Sequence, residues 1–227
     1  MNRTFEVQFV PRDADFIIGV DEAGRGALAG PVGVAAVCLD CEFVFEGATI
    51  RDSKKLTARA RKQSYDIILE QDPVHAIELV PNEVVDELNV LHATLQGMYK
   101  CIIRCIDQLK DRYELPEDVR IHVIVDGNQH IPNLPVGVVQ HTLEQGDSLA
   151  YTVAAASILA KETRDNFVRD IMHYEFPMYD FHLHKAYGTV AHIQAIQTHG
   201  ICKYHRRSFK PCLVYDESNV GQVVGGK

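Results

Sequence analysis

The stretch FIIGVDEAGRGALAGP, residues 16–31, restricts the fold more than any other part of the chain. Phe16, Ile17, Ile18, Gly19 and Val20 form an apolar run of the length of a buried strand, and the run ends on two adjacent carboxylates, Asp21 and Glu22. Neighbours in an ideal strand point to opposite faces. For both carboxylates to serve one site, the chain is expected to leave the pleat at this point, which Ala23-Gly24 permits. Gly24 and Gly26 would let a ligand approach the backbone, and Arg25 between them suits a phosphate. A strand followed by an ordinary polar turn is the plain alternative, and this segment alone does not decide between the two.

Further along, apolar and periodic segments alternate as in an α/β domain. Val32 to Cys38 reads as a strand pairing with 16–20. Residues 57–70 read as a helix capped by Thr57, with Ala60, Ser64, Ile67 and Ile68 facing inward. Strands are expected at 75–80, 120–125 and 136–140. A short helix should start at Pro81, and a long one should run over 90–110 with Leu91, Leu95, Met98, Ile102, Cys105, Ile106 and Leu109 on one face. The strand at 120–125 runs into Asp126-Gly127-Asn128, so a second apolar strand ends on a carboxylate. Gly146-Asp147 is expected to open a helix reaching about Tyr174, where Asp147 on its own reads as a cap. Another helix is expected at 190–199.

Composition narrows the classes. With 227 residues and 46% hydrophobic content, one good core and a smaller lobe are expected. No apolar run approaches the ~18 residues of a membrane span, and residues 1–15 lack a signal core, so a cytoplasmic protein is expected. The net charge of −8 is uneven: residues 51–62 carry +5 and residues 199–210 carry +4, which leaves −17 elsewhere. Basic patches beside an acidic body suit a protein that holds a polyanion at its edges and cations at its centre, although charge runs are more often solvated faces. Cys38 and Cys41 have zinc-like spacing, but the cysteines read better as buried thiols. His182, His184 and His192 share no convincing ligand spacing, and solvated or phosphate-facing roles are expected for them.

Asp21, Glu22, Asp126 and Asp147 all fall at the ends of elements, in an order that can converge at one sheet edge. Without cations they would repel one another. Oxygen-only ligands favour Mg2+ or Mn2+, and a pair of such ions can drive phosphodiester hydrolysis.

Seven segments together resemble the ribonuclease HII family, the type 2 ribonucleases H: GVDEAGRG (19–26), DSKKL (52–56), DELNVLHAT (86–94), VDGN (125–128), GDSLAYTVAAASILAKETRD (146–165), HKAYGT (184–189) and HRRSF (205–209). The resemblance covers about Ile17 to Pro211. It implies a ribonuclease H-like fold, a five-stranded mixed sheet flanked by helices with a small helical C-terminal lobe. It assigns metal binding and catalysis, with two Mg2+ or Mn2+ ions, to Asp21, Glu22, Asp126 and Asp147. Ribonucleotide reading falls to Gly24, Arg25, Gly26 and Tyr187, and further nucleic-acid contacts to Ser53, Lys54, Lys55, Lys185, Arg206 and Arg207. The implied substrates are RNA–DNA hybrids and duplex DNA carrying single ribonucleotides, cut on the 5′ side to leave 3′-hydroxyl and 5′-phosphate ends, as in primer removal and DNA repair. Two departures stand out: Ala186 occupies a position where the family usually has glycine, and Ala27 one where proline is frequent. Ribonuclease HIII, a related group, carries a sizeable N-terminal domain for which fifteen residues before Phe16 leave no room, so HII is expected.

The expected organisation is an N-terminal extension over 1–15, a catalytic domain over 16–176, a substrate-binding lobe over 177–215 and a disordered tail over 216–227. A monomer is expected, and nothing in the tail identifies a sliding-clamp partner. A transposase or junction resolvase would also use clustered carboxylates and two metals, but it would not need a 2′-hydroxyl reader. A non-catalytic RNA-binding module would use the basic patches and gain nothing from carboxylates that repel phosphate.

Overall fold

The computed structural model describes residues 6, 9, 10, 15–40, 42–115 and 119–215. The expected tail at 216–227, Cys41 and most of the N-terminal extension lie outside them.

Five strands form one mixed sheet in the order β3-β2-β1-β4-β5. They are β1 (Phe16–Ala23), β2 (Val32–Asp40), β3 (Val74–Val80), β4 (Ile121–Asp126) and β5 (Val138–Leu143). β1 sits at the centre, antiparallel to β2 and parallel to β4, and β4 in turn is parallel to β5. Residues 17–21 of β1 and 121–125 of β4 are buried, as their continuous apolar runs require of strands covered on both faces. The sequence expectation placed β5 two residues early. Val138 N–H closes a turn onto Pro135 O, and Gly137 takes φ +93°, so pairing starts only at Val138.

Helix α1 (Ala58–Glu70) starts where Thr57 accepts a hydrogen bond from Ala60 N–H, and α2 (Asn82–Leu88) follows Pro81. In α3 (Val90–Arg112) the apolar face expected from the periodicity buries Met98, Ile102, Cys105, Ile106 and Leu109. Cys101 and Cys105 donate their thiols to Val34 and Ala36 carbonyls, and the described cysteines are all buried thiols. The helix expected from Gly146 is interrupted: a single turn spans Gly146–Leu149, Ala150 is extended, and α4 runs Tyr151–Phe167 before a π-helical turn at Val168–Met172. At Gly19, β1 lies directly against α4. A Cβ there would lie 2.2 Å from the Thr152 and Val153 backbone, so any side chain would push the helix off the strand. Helix α5 (Val190–His199) is capped by Thr189, matching the expected span.

By packing, the chain divides into two units that do not follow chain order. One takes in 1–23, 33–78 and 95–162, and the other 24–32, 79–94 and 163–227. The lobe expected over 177–215 is therefore one part of a unit that also draws in the glycine loop after β1. In the first unit, Ala35, Val37, Leu39, Phe45, Ile50 and Ile68 pack with Ala155, Ile158 and Leu159 of α4. The second unit has its own core, in which Leu28, Val168, Met172, Phe181, Ala186 and Ile196 meet. No helix among the described residues is long and apolar enough to cross a membrane.

Candidate active site

The first unit holds all four predicted carboxylates. Val20 with Val125 is the last parallel pair between β1 and β4, and Asp21 and Asp126 follow it directly, so two distant sequence segments deliver carboxylates to the same place. Asp126 Oδ1 accepts from Gly146 N–H at 2.7 Å, which brings the single turn carrying Asp147 to the end of β4. Asp147 does not cap a helix as expected, since that turn has no side-chain cap. Its Oδ2 lies 3.5 Å from Lys54 Nζ.

β1 does not leave the pleat at Asp21. Asp21 pairs with Ala35 and Glu22 with Val34 in unbroken antiparallel register, because β2 continues to supply ladder partners. The two side chains differ in exposure, Asp21 buried and Glu22 half-buried, yet Glu22 stays near enough to raise the Asp21 pKa.

The electrostatics are those of carboxylates crowded together and shielded from water. Asp21 has its pKa raised well above the ordinary carboxylate value, first by burial and then by Glu22 and Asp126. The pKa of Asp147 is also raised, by burial, Asp52 and Asp126, with Lys54 pulling it back. Asp21 Oδ2 is buried and accepts no hydrogen bond among the described residues. A buried, orphaned carboxylate oxygen beside other carboxylates costs free energy that a hard divalent cation would remove, so this donor set fits Mg2+ or Mn2+.

Sequence reasoning missed two residues of this centre. Ser157 on α4 hydrogen-bonds with Ser53 Oγ at 2.8 Å, and its hydroxyl opposes the rise in the Asp21 pKa. Asp52 accepts from Lys54 N–H at 2.9 Å and lies 3.4 Å from Lys55 Nζ, shaping the Ser53–Lys55 turn. In the sequence, Ser157 looks like one more small residue of an alanine-rich helix, and Asp52 like a turn residue. Ser53 itself is buried against Ser157, which removes it from the predicted surface contacts. Lys54 and Lys55 remain 71% and 55% exposed at their side chains, free enough to meet a phosphate as well as the carboxylates. Arg61, counted in the basic patch, instead pairs with buried Glu162 at 2.9 Å.

The second unit holds the loop 24–31 and the segment 184–189. Ala27 and Tyr187 form an isolated antiparallel bridge, and Leu28 N–H donates to Ala186 O. Two buried arginines fix this arrangement. Arg164 donates to Pro31 O, Ala29 O and Lys185 O, and its guanidinium lies 5.3 Å from the centre of the Tyr187 ring. Arg206 donates to Gly30 O and Arg25 O. Arg206 is thus corrected from a nucleic-acid contact to an internal brace, because backbone carbonyls occupy its guanidinium. Arg207 and Arg25 are exposed, and Lys185 is half-buried with Nζ bonded to His182 O.

The two loop glycines separate in role. Gly24 has φ +91°, and a Cβ there would lie 1.9 Å from Arg164 Nε, so this position needs glycine for the fold. A Cβ on Gly26 would meet nothing within 4 Å. At the departure from the family pattern, Ala186 adopts φ +63° and is fully buried, a left-handed conformation in which glycine has no steric cost.

The histidines divide as well. His192 is buried, contrary to the solvated role expected of it. His205 Nδ1 accepts from Cys202 N–H, so its Nε2–H donates to His192 Nε2, and His192 Nδ1–H donates to Tyr187 O at 3.0 Å. The chain of bonds requires both rings neutral. Burial lowers the His192 pKa to about 4 and that of His205 to about 3. Because these folded-state values lie below the unfolded 6.5, the unfolded chain takes up the protons first. The two rings therefore contribute full stability above pH 6.5 and lose it as pH falls toward 4 and 3, each by at most about 1.4 kcal/mol per pH unit. NMR of the ring carbons should show both histidines untitrated from pH 7 to about 5.

The profile of the family described as Ribonuclease HII matches residues 18–212. A Ribonuclease HII from Caldicellulosiruptor saccharolyticus is 43% identical over 194 residues, 86% of each chain. Among solved structures, Bst-RNase HIII in complex with Mn2+ is similar with a TM-score of 0.67 at 19% identity, over 89% of this chain and 70% of that one. The PCNA:RNase HII complex from Archaeoglobus fulgidus is similar with a TM-score of 0.63 at 23% identity, over 86% and 95%. These two structural likenesses bear on the fold, which is that of the ribonucleases H.

Proposed function

The chain belongs to the ribonuclease HII family and is a ribonuclease H hydrolase; from that premise we propose that it cuts the RNA strand of RNA–DNA hybrids and cleaves 5′ of single ribonucleotides in duplex DNA. The observation that carries this reading is the placement of Asp21 and Asp126 directly after the last pair of the parallel β1–β4 ladder, Val20 with Val125, with Asp21 Oδ2 buried and orphaned. In this reading Asp21, Glu22, Asp126 and Asp147 hold two Mg2+ or Mn2+ ions. Such ions, when bound, supply an activated water and charge stabilisation at the leaving oxygen. The Mn2+ in the Bst-RNase HIII complex is consistent with this choice of cation. Lys54 and Lys55 position the backbone phosphates, and Ser157 orients the Asp21 carboxylate. The products carry 3′-hydroxyl and 5′-phosphate ends. We place the enzyme in the cytoplasm as a monomer serving ribonucleotide and primer removal, with 177–215 contributing to substrate binding. The Archaeoglobus fulgidus complex with PCNA makes a sliding clamp a reasonable partner to test.

Reading of the ribonucleotide is assigned to Gly24-Arg25-Gly26 and Tyr187. A 2′-hydroxyl both donates and accepts hydrogen bonds, so exposed backbone groups can meet it, while a ring can pack against the sugar. Tyr187→Ala should lose far more kcat/KM on a duplex with one ribonucleotide than on a continuous hybrid, where neighbouring 2′-hydroxyls compensate in part. An equal loss on both substrates would reduce Tyr187 to a general or structural role.

Gly26→Ala isolates the same function from folding. With open space around the added methyl, the unfolding free energy should change by less than about 0.5 kcal/mol. Cleavage at a single ribonucleotide should nevertheless fall about tenfold or more, because the methyl occupies the approach to the backbone. Unchanged kinetics would mean that no substrate atom comes near Gly26.

A further inference from the structure

Outside the carboxylate centre, one group of side chains has the composition and spacing of a metal site. Each of His173, Asp180 and His182 offers a ligand atom, and these atoms all lie within 4.8 Å of one another, the one such group of three or more among the described residues. All three belong to the second unit, whereas the four catalytic carboxylates belong to the first.

Three independent features mark the place. The Nδ1 atoms of His173 and His182 are buried and have no hydrogen-bond partner, an uncommon state for a ring nitrogen shielded from water. The two rings lie 4.0 Å apart between centres at 39°, so neither is stacked flat nor hydrogen-bonded to the other. The backbone around them is also unusual. His173 directly follows the π-helical turn Val168–Met172, and Asp180 holds φ 52°, ψ 38°, a left-handed conformation for a residue other than glycine. π-turns and left-handed non-glycine residues collect at functional sites, because the local cost is borne only where the geometry is needed.

We infer that His173, Asp180 and His182 form a binding site for a transition-metal dication of the Zn2+ class, separate from the Mg2+/Mn2+ centre. Two imidazoles with one carboxylate favour Zn2+, Co2+ or Ni2+ over Mg2+, which prefers oxygen alone. Zinc bonds of about 2.0–2.1 Å place ligand atoms roughly 3.3 Å apart in a tetrahedron, so closure asks for a contraction of about 1.5 Å by side-chain rotation, with water as fourth ligand. The bound ion ties His173 to Asp180 and His182, across the Pro177–Tyr179 turn. That places the tie just before the 184–189 segment, whose Lys185 Nζ already bonds His182 O at 2.6 Å. The ion therefore acts as a staple in the second unit rather than as a cleavage cofactor.

The test uses the full chain carrying Asp21→Asn and Asp126→Asn, in which the carboxylate centre is disabled, titrated with Zn2+ against a competing chelator and with Co2+ by visible absorption. One Zn2+ per chain is expected, together with a Co2+ ligand-field band and a rise in Tm with added Zn2+. Adding His173→Gln, or His182→Gln in a second chain, should weaken Zn2+ binding by about tenfold or more and abolish the band, while the metal-free unfolding transition stays cooperative. Absence of stoichiometric binding in the background chain overturns the inference. So does binding that survives both glutamine substitutions with less than that tenfold loss.

Discussion

Asp21→Asn and Asp126→Asn should each abolish cleavage while leaving the protein folded, and Asp21→Asn should raise Tm in metal-free buffer. Asp21 is buried, accepts from Glu22 N–H at 2.7 Å, and has a second oxygen without a partner among the described residues. Its charge is opposed by burial and by Glu22 and Asp126, which together hold its pKa well above the usual range. Asparagine keeps the shape and removes the charge, so the repulsion and part of the desolvation cost disappear. Loss of that charge should cost several kcal/mol of transition-state stabilisation, a fall of roughly 10³-fold or more in kcat. Steady-state kinetics and thermal unfolding of the same preparations check both halves. A variant that turns over near the wild-type rate would remove Asp21 from the centre, and one that unfolds at lower temperature would show that the carboxylate supports the fold.

Arg164→Met should produce the largest loss of stability of any single substitution considered for the second unit. The guanidinium is fully buried and donates to the carbonyls of Pro31, Ala29 and Lys185, and it lies against the Tyr187 ring. Methionine fills much of the volume but donates nothing, leaving three carbonyls without their donor. At ~1–3 kcal/mol for each buried polar group left unsatisfied, the destabilisation should be roughly 3 kcal/mol or more. The loop 24–31 and the segment 184–189 lose their common brace, so discrimination for a single ribonucleotide should fall further than cleavage of a continuous hybrid. Denaturant unfolding and the ratio of kcat/KM on the two substrates measure these effects. A chain as stable as wild type would mean that water replaces the guanidinium at all three carbonyls.

The convergence of Asp21 and Asp126 was legible in the sequence because a charged residue at the end of a buried apolar run has few structural uses. Both Asp21 and Asp126 announce themselves in this way, and parallel pairing of their strands does the rest. The end of β1 was not legible: the apolar run stops at Val20, but hydrogen bonds from β2 carry the strand to Ala23 irrespective of side-chain polarity. Charge runs proved the least informative signal. Arg206 and Arg207 are adjacent in a basic stretch, yet one is buried on the carbonyls of Gly30 and Arg25 and the other is exposed. Those carbonyls come from 176 and 181 residues away, so no local pattern distinguishes the two arginines. The same holds for His192 and His205, whose neutral chain of bonds exists only once α5 packs beside the 202–206 turn.

The measurement that bears most directly on the account is cleavage of a DNA duplex containing one ribonucleotide, with Mg2+ and with EDTA, and the product ends mapped. A single cut 5′ of the ribonucleotide is expected, leaving 3′-hydroxyl and 5′-phosphate ends, present with Mg2+ and absent with EDTA. Cleavage of an all-DNA duplex at a similar rate, or cleavage that persists in EDTA, would contradict it.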